Sequence, residues 1–439
     1  MPHHLFSKYS KAAMTLALAC LLTGFLAACG GSSTSSSNGP VTITVWSWVP
    51  NFQQAVDLFE KSHPNIKVKL DNVGQGGTEY PKLRTALKAG SGAPDVVQLE
   101  YSELPTFAMT GKLVDLSQYG ADAYKNDYIS WAWAQSTQGD KIYAIPQDSG
   151  PMGMLYREDI FKKYNLAVPT TWDQFQQEAI ALHKADPKVY MTNFAPNDAA
   201  AFTSYLWQAK ARPYTSNGTN VSVNLSNEAT QKVANYWDDL INSGAVQTIP
   251  DFANDWNTEL SNGTLATWIT AAWAPTDLAG IASSSSGKWR VAPLPQWNAG
   301  DNVSANWGGS TDAVTTQSQH PKEAAEFAMW INHDKTAANM LSNQLFLYPT
   351  LKSVLNDPSF GTSVPFYGGQ NVNKIFAQSS AHVDTSFQWT PFQDYINNQL
   401  TVQLGNAVNG KASMAQALQQ AQNDATSYAK AQGFTVSNK

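Results

Sequence analysis

The chain has 439 residues, enough for two core-forming units. Only 14% of them are charged, against roughly 25% in ordinary soluble proteins, and the formal net charge is −6. An acidic chain with no Lys/Arg cluster argues against nucleic acid as a partner, because phosphates require cationic contacts.

Residues 1–28 read as an export signal. Lys8 and Lys11 form its charged start and Ala12–Leu26 its apolar stretch, too short for a membrane span. The segment ends in Leu26-Ala27-Ala28-Cys29-Gly30, which resembles the bacterial lipobox, where the cysteine becomes a lipidated first residue. The plainer alternative is a small-residue cleavage site beside an incidental cysteine. Residues 29–40 follow as a Ser/Gly-rich tether with no means of building a core, which favours the lipid anchor. Each buried methylene of an acyl chain contributes about 0.8 kcal/mol to membrane attachment. With Cys20 in the signal and Cys29 acylated, the mature chain keeps no thiol for a disulfide, metal site or nucleophile.

Val41–Trp46 (VTITVW) reads as a buried parallel strand, ending in Trp46-Ser47-Trp48. A helix follows with Phe52, Ala55, Val56 and Phe59 on one face, stopped at His63-Pro64. Ile66, Val68 and Leu70 alternate with lysines as a half-exposed strand. Gly74–Gly77 leads to a helix through Tyr80, Leu83 and Leu87, and Asp95–Leu99 forms the next strand. This β-α-β-α-β order predicts a parallel sheet with right-handed crossovers. Further on, Ile142–Ile145 and Met152–Tyr156 read as strands separated by the turn-forming Gln147–Pro151. Arg157–Tyr164 has helical spacing, and Thr171 with Gln174 forms a capping box for the helix after it. Residues 178–283 read as largely helical, with Gly244 placed as a helix cap. Trp289–Pro295 reads as a strand, Pro321–Asn332 as an amphipathic helix, and the tail as two helices near Pro391–Val408 and Ser413–Gln432.

Several of these segments resemble, in order and spacing, the extracellular solute-binding proteins (family 1) of carbohydrate ABC importers, the maltose-binding-protein type. The segments are Ser91–Val97 (SGAPDVV), Tyr143-Ala144-Ile145-Pro146, Leu155–Phe161 (LYREDIF) and Val168–Asp173 (VPTTWD). Asn262–Trp268 with Ala271-Ala272-Trp273, and Trp307-Gly308-Gly309-Ser310, continue the series. Alanine stands at 271 where the family usually has glycine. The resemblance runs from Val41 to about Leu355. It implies a periplasmic-binding-protein-like α/β fold of two discontinuous lobes around a hinge, with a ligand cleft between them. The chain would cross at Lys141–Phe175, Trp289–Pro295 and Leu347–Thr350. Lobe 1 would then be residues 41–147 plus 294–347, and lobe 2 residues 148–293 plus 348–439.

Catalytic signatures fail one by one. Gly287-Lys288 is followed by Trp289 and lacks P-loop spacing, Gly74–Gly77 lacks the third glycine of a dinucleotide fingerprint, and no G-x-S-x-G occurs. The seven histidines form no metal-binding pair beyond His3-His4 in the signal. Aromatic residues, in contrast, are abundant: 15 Trp, 17 Tyr and 18 Phe. Most must be core, each burying roughly 150–250 Å². A sugar ring, with apolar C–H faces and a hydroxyl rim, suits an aromatic face ringed by carboxylates and amides.

Ligands of open α/β sheets sit beyond the carboxyl ends of the strands, which selects Ser47, Trp48, Glu100 and Tyr101. Trp46 fits the core as well as the cleft, and Trp172, Trp237 and Trp330 fit the core. The family resemblance adds Asp148, Trp273, Trp307 and Gly308, and Trp389 is a further candidate between polar neighbours. The expectation is a carbohydrate-binding, non-enzymatic component of an ABC importer. It would need no cofactor or metal, work as a monomer, be anchored by lipid at Cys29 to the outer face of the cytoplasmic membrane, and deliver an oligosaccharide to permease subunits. A secreted glycoside hydrolase and a surface glycan-binding lectin are the alternatives.

Overall fold

The computed structural model describes residues 39–437, so the signal, Cys29 and the tether as far as Asn38 lie outside it. The larger sheet has five strands in the order Ile66–Asp71, Val41–Trp46, Val96–Glu100, Ser310–Val314, Ala144–Pro146. The first three are parallel, as the β-α-β-α-β pattern predicts. Ser310–Val314 runs antiparallel between Val96–Glu100 and Ala144–Pro146. Val96–Leu99 is buried on both faces, including Gln98, as a central strand requires. On Val41–Trp46 only Ile43 and Val45 are fully buried. Trp46 is half-buried and packs against the cluster of Tyr80, Leu83 and Phe107, so it belongs to the core. Exposed Lys67 and Lys69 lie on the edge strand Ile66–Asp71, where charge discourages pairing with another chain. Helix Gln53–Ser62 turns Ala55, Val56 and Phe59 onto this sheet, and Phe59 meets Phe327 edge-on at 5.0 Å.

A second, three-stranded antiparallel sheet has Met152–Arg157 in the middle, between Thr267–Ala271 and Trp289–Ala292. A third joins Tyr214–Asn217, Asn220–Val223 and Thr435–Ser437. This third sheet corrects the largely helical reading of residues 178–283. The hairpin has its own signal in Ser216-Asn217-Gly218-Thr219, with Gly218 at φ +59° supplying the turn. Ile142–Ile145 is not one strand either. Lys141–Ile142 pairs with Thr137–Gln138, while Ala144–Pro146 joins the large sheet. The predicted strand Trp289–Pro295 stops at Ala292, before Pro293. Of the capping box at Thr171, the forward arm forms, with the Gln174 N–H on Thr171 Oγ1 at 3.2 Å. The Gln174 side chain instead accepts from the Thr170 N–H at 2.9 Å.

The chain passes between the two main sheets at 147–151 and 293–309, and the run 347–351 lies against the first of these while Leu351 and Val354 pack in the core of the large sheet. These lie side by side. Gln147 N–H donates to Ser310 O at 2.9 Å, Trp307 N–H to Gly150 O at 2.8 Å, and Ser149 N–H to Tyr348 O at 2.9 Å. Segment 147–151 is therefore held on both flanks, but by single bridges rather than ladders. The packing is closest at Gly150, where a Cβ would stand 1.9 Å from Trp307 O. Gly150→Ala should therefore lower stability in urea denaturation by about 3 kcal/mol, as overpacking against rigid backbone does. Gly405, inside helix Gln393–Val408 with open space around it, gives the opposite expectation. Gly405→Ala should stabilise by about 0.5–1 kcal/mol through helix propensity.

Candidate ligand-binding cleft

A cleft of about 710 Å³ opens beyond the carboxyl ends of strands Val41–Trp46 and Val96–Glu100. Trp48, Glu100, Asp148, Trp273, Trp307 and Gly308 all line it. Three other predicted residues lie elsewhere. Ser47 is buried and donates to Gln98 Oε1 at 2.7 Å, while the same oxygen accepts the Trp48 N–H at 3.1 Å. Its place is thus beneath the loop that carries Trp48. Tyr101 is buried and donates its hydroxyl to Asp148 O at 3.1 Å. Trp389 lines a separate cavity of about 190 Å³ with Leu104, Tyr143 and Phe387. The strand-end rule leads to loops that line this cleft, but successive residues point opposite ways, and the rule does not separate the one that faces it.

Trp273 sits at the start of helix Ala274–Ile281, half-buried, and donates its indole N–H to Trp307 O at 2.9 Å. The two indoles meet edge to face at 5.0 Å, an arrangement that fixes both. Ala271, in place of the family's glycine, is the last residue of its strand in regular pairing with Met152, and no positive φ is needed there. Gly308 and Gly309 do have positive φ, +78° and +83°. A Cβ on Gly309 would stand 2.8 Å from Ser149 Cα, so glycine is what lets this strand start pass beside Asp148.

Sequence reasoning missed Phe252, Asp198, Asp277 and the helix residues Asn397, Asn398 and Thr401, which also line the cleft. Asn397-Asn398 had a signal, a polar pair on a helix otherwise buried through Ile396, Leu400 and Leu404. Phe252 had none, since its exposure depends on a left-handed backbone at φ +58°.

Among the described residues, the lining contains Glu100, Asp148, Asp198 and Asp277 and no Lys or Arg. Burial raises the pKa of each. Asp148 reaches about 6, against the pull of two bonds from Ser310, N–H at 2.8 Å and Oγ at 2.5 Å. Asp198 reaches about 7 through burial and then the charge of Asp251. Glu100 is raised by burial even though the Tyr80 hydroxyl donates to it at 2.9 Å. Behind the lining, Asp312 rises to about 7 through burial, although Asn332 and Gln147 donate to it. Glu79 rises to about 8 through burial, then through Glu100 and Asp312, and neither of its oxygens has a hydrogen-bond partner. Such a wall repels anions and accepts hydrogen bonds from hydroxyl groups, while the indoles offer faces to apolar C–H groups.

A family model, "Bacterial extracellular solute-binding protein", matches residues 46–338. The chain belongs to that family. Among solved structures, an ABC-transporter-associated binding protein from B. animalis subsp. lactis Bl-04, in complex with β-1,6-galactobiose, is 32% identical. It superposes with a TM-score of 0.80 over 91% of this chain and 100% of its own. The galacto-N-biose/lacto-N-biose I-binding protein of Bifidobacterium longum is 28% identical, with a TM-score of 0.82 over 91% and 99%. The arabinooligosaccharide-binding protein of Bacillus subtilis (strain 168) is 26% identical over 71% of this chain and 74% of its own. The fold is the periplasmic-binding-protein-like one, two discontinuous α/β lobes around a hinge with the ligand cleft between them.

The unpartnered carboxyl of Glu79 sets a pH dependence. Its folded pKa of about 8 lies above the ordinary 4.5, so its contribution to stability is whole below pH 4.5 and is lost as pH rises towards 8. Thermal denaturation of the unaltered protein should show a melting temperature that falls across this window. Glu79→Gln should flatten the fall and melt higher than the unaltered protein at pH 8.5. Parallel profiles for the two would show that Glu79 is not charged against a penalty.

Proposed function

We propose that this member of the extracellular solute-binding family captures a carbohydrate, an oligosaccharide, and hands it to the permease of an ABC importer. Residues 41–147 with 294–347 would form one lobe and residues 148–293 with 348–439 the other, hinged at the three crossings. The observation that carries the reading is the joining in one cleft of the Trp273–Trp307 pair with Trp48 and the carboxylates Glu100 and Asp148. The sugar-binding descriptions of the relatives support the ligand class, and 710 Å³ suits a ligand of more than one ring.

Closure follows from differential contact. A ligand touching both lobes favours the state in which they approach, and the crossings absorb the backbone change. A micromolar dissociation constant corresponds to about −8 kcal/mol, which stacking and hydrogen bonding supply without covalent chemistry. The protein then works as a binder rather than an enzyme, as a monomer without cofactor, held at the outer face of the membrane by lipid on Cys29.

Isothermal titration against neutral oligosaccharides should give micromolar or tighter binding, weakened more than tenfold by Trp273→Ala. Prolonged incubation should release no new reducing ends. Turnover would replace the transport reading with a hydrolase, and unchanged affinity in the variant would move the site away from the cleft.

A further inference from the structure

A second chamber of about 330 Å³ adjoins the cleft, and Leu347 lines both. Its walls are formed by Phe346, Tyr348, Phe360 and Tyr367 together with hydroxyl and amide side chains such as Thr276 and Asn343. Among the described residues, no Asp, Glu, Lys or Arg lines it, in contrast to the acidic cleft next door. Its volume lies at the lower end of the range for small-molecule sites, about 300–1,000 Å³.

Two uncommon features mark one wall residue of each cavity, Phe252 in the cleft and Phe346 in the chamber. Among the described residues, the large hydrophobic side chains that are exposed include Phe252 at 53% and Phe346 at 58%. These same two also have left-handed backbones, φ +58° and +61°. A bulky residue at positive φ is strained, and such strain gathers where ligands are held. Phe346 follows helix Lys335–Asn343, in a reversal closed by Leu347 N–H on Leu341 O at 3.0 Å. Glycine would satisfy that reversal without strain. The aromatic ring is therefore not explained by the turn, nor by core packing, since it faces solvent. Phe252 lines the cleft itself, tilted at 6.2 Å from Trp273.

We propose that the chamber beyond Leu347 is a second sugar compartment, in which Phe346 is the platform for a neutral ring. The ligand would thus be an uncharged oligosaccharide that fills the acidic cleft with one end and passes Leu347 with the other. Phe252 bears on the part in the cleft and Phe346 on the part beyond it. This rests on the carbohydrate reading above and adds a length requirement to it.

The test titrates the protein with arabino-oligosaccharides and galacto-oligosaccharides of two to five units. Affinity should rise at least tenfold between the disaccharide and the longer members of the series that binds. Phe346→Ala should remove that rise and leave disaccharide affinity within twofold, whereas Phe252→Ala should weaken every length. Phe346→Gly relieves the backbone, so it should melt no lower than the unaltered protein while still losing the rise, and Phe346→Trp should keep it. A flat length series unchanged by Phe346→Ala overturns the chamber alone. Failure of the unaltered protein to bind any saccharide of either series overturns the carbohydrate reading and the chamber with it.

Discussion

Much of this molecule depends on one buried carboxylate and the chain crossing beside it. Asp148 takes both the N–H and the hydroxyl of Ser310, the first residue of the antiparallel strand that completes the large sheet. Its own backbone carbonyl accepts the Tyr101 hydroxyl, so a residue just past the end of Val96–Glu100 is tied to the same point. The single bridge from Asp148 to Pro349 adds the third connection. A ladder of many bonds here would make the junction stiff. The Ser310 bonds to Asp148 act together with the backbone bonds of Gln147, Ser149 and Gly150 to the flanking segments, so the connections are held in register by short runs rather than by a continuous ladder.

The same economy explains the acid-rich surroundings. Glu79, Glu103, Asp148, Asp198 and Asp312 all have pKa values pushed to between about 6 and 8, chiefly by burial. A protein selected only for stability would replace these groups, because buried charge without a partner is costly. Glu103 has Arg84 within 3.8 Å, but that guanidinium is shared with Asp394 of helix Gln393–Val408. The oxygens left without partners, on Glu79, Glu103 and Asp312, lie behind the cleft lining, where they add acidic character to the wall at a cost in stability.

The parts of the fold legible in the sequence were those with strong local periodicity. VTITVW, the Phe52–Phe59 stripe and DVVQL gave the parallel half of the large sheet nearly residue by residue. The antiparallel strand Ser310–Val314 was marked in the sequence only by the family-like Trp307-Gly308-Gly309-Ser310 that leads into it, and its partners lie over 160 residues away with no local signal to name them. The Tyr214–Val223 hairpin was hidden because the segments around it are strongly helical, although its Asn-Gly turn was in plain view. At the cleft, Trp48 and Glu100 were separable from Ser47 and Tyr101 only by the direction of each side chain. Phe252 and Phe346 were not legible at all, since a positive φ at phenylalanine contradicts the preferences that sequence reading relies on.

Closure places a lower bound on what the cleft contacts must supply. Moving a two-state equilibrium from 1:99 to 99:1 takes about 5.5 kcal/mol of preference for the favoured state. For a free protein open 99 parts in 100, a micromolar ligand, about 8 kcal/mol in all, would draw a large share of its binding energy from contacts made only when both lobes are engaged. The strand-end loop at Trp48 and Glu100 and the opposing Trp273 stand on different sheets. A ligand bridging them meets this demand, and one resting on either side alone does not. The aromatic and acidic groups on the two sides of the cleft are the ones placed to supply those contacts.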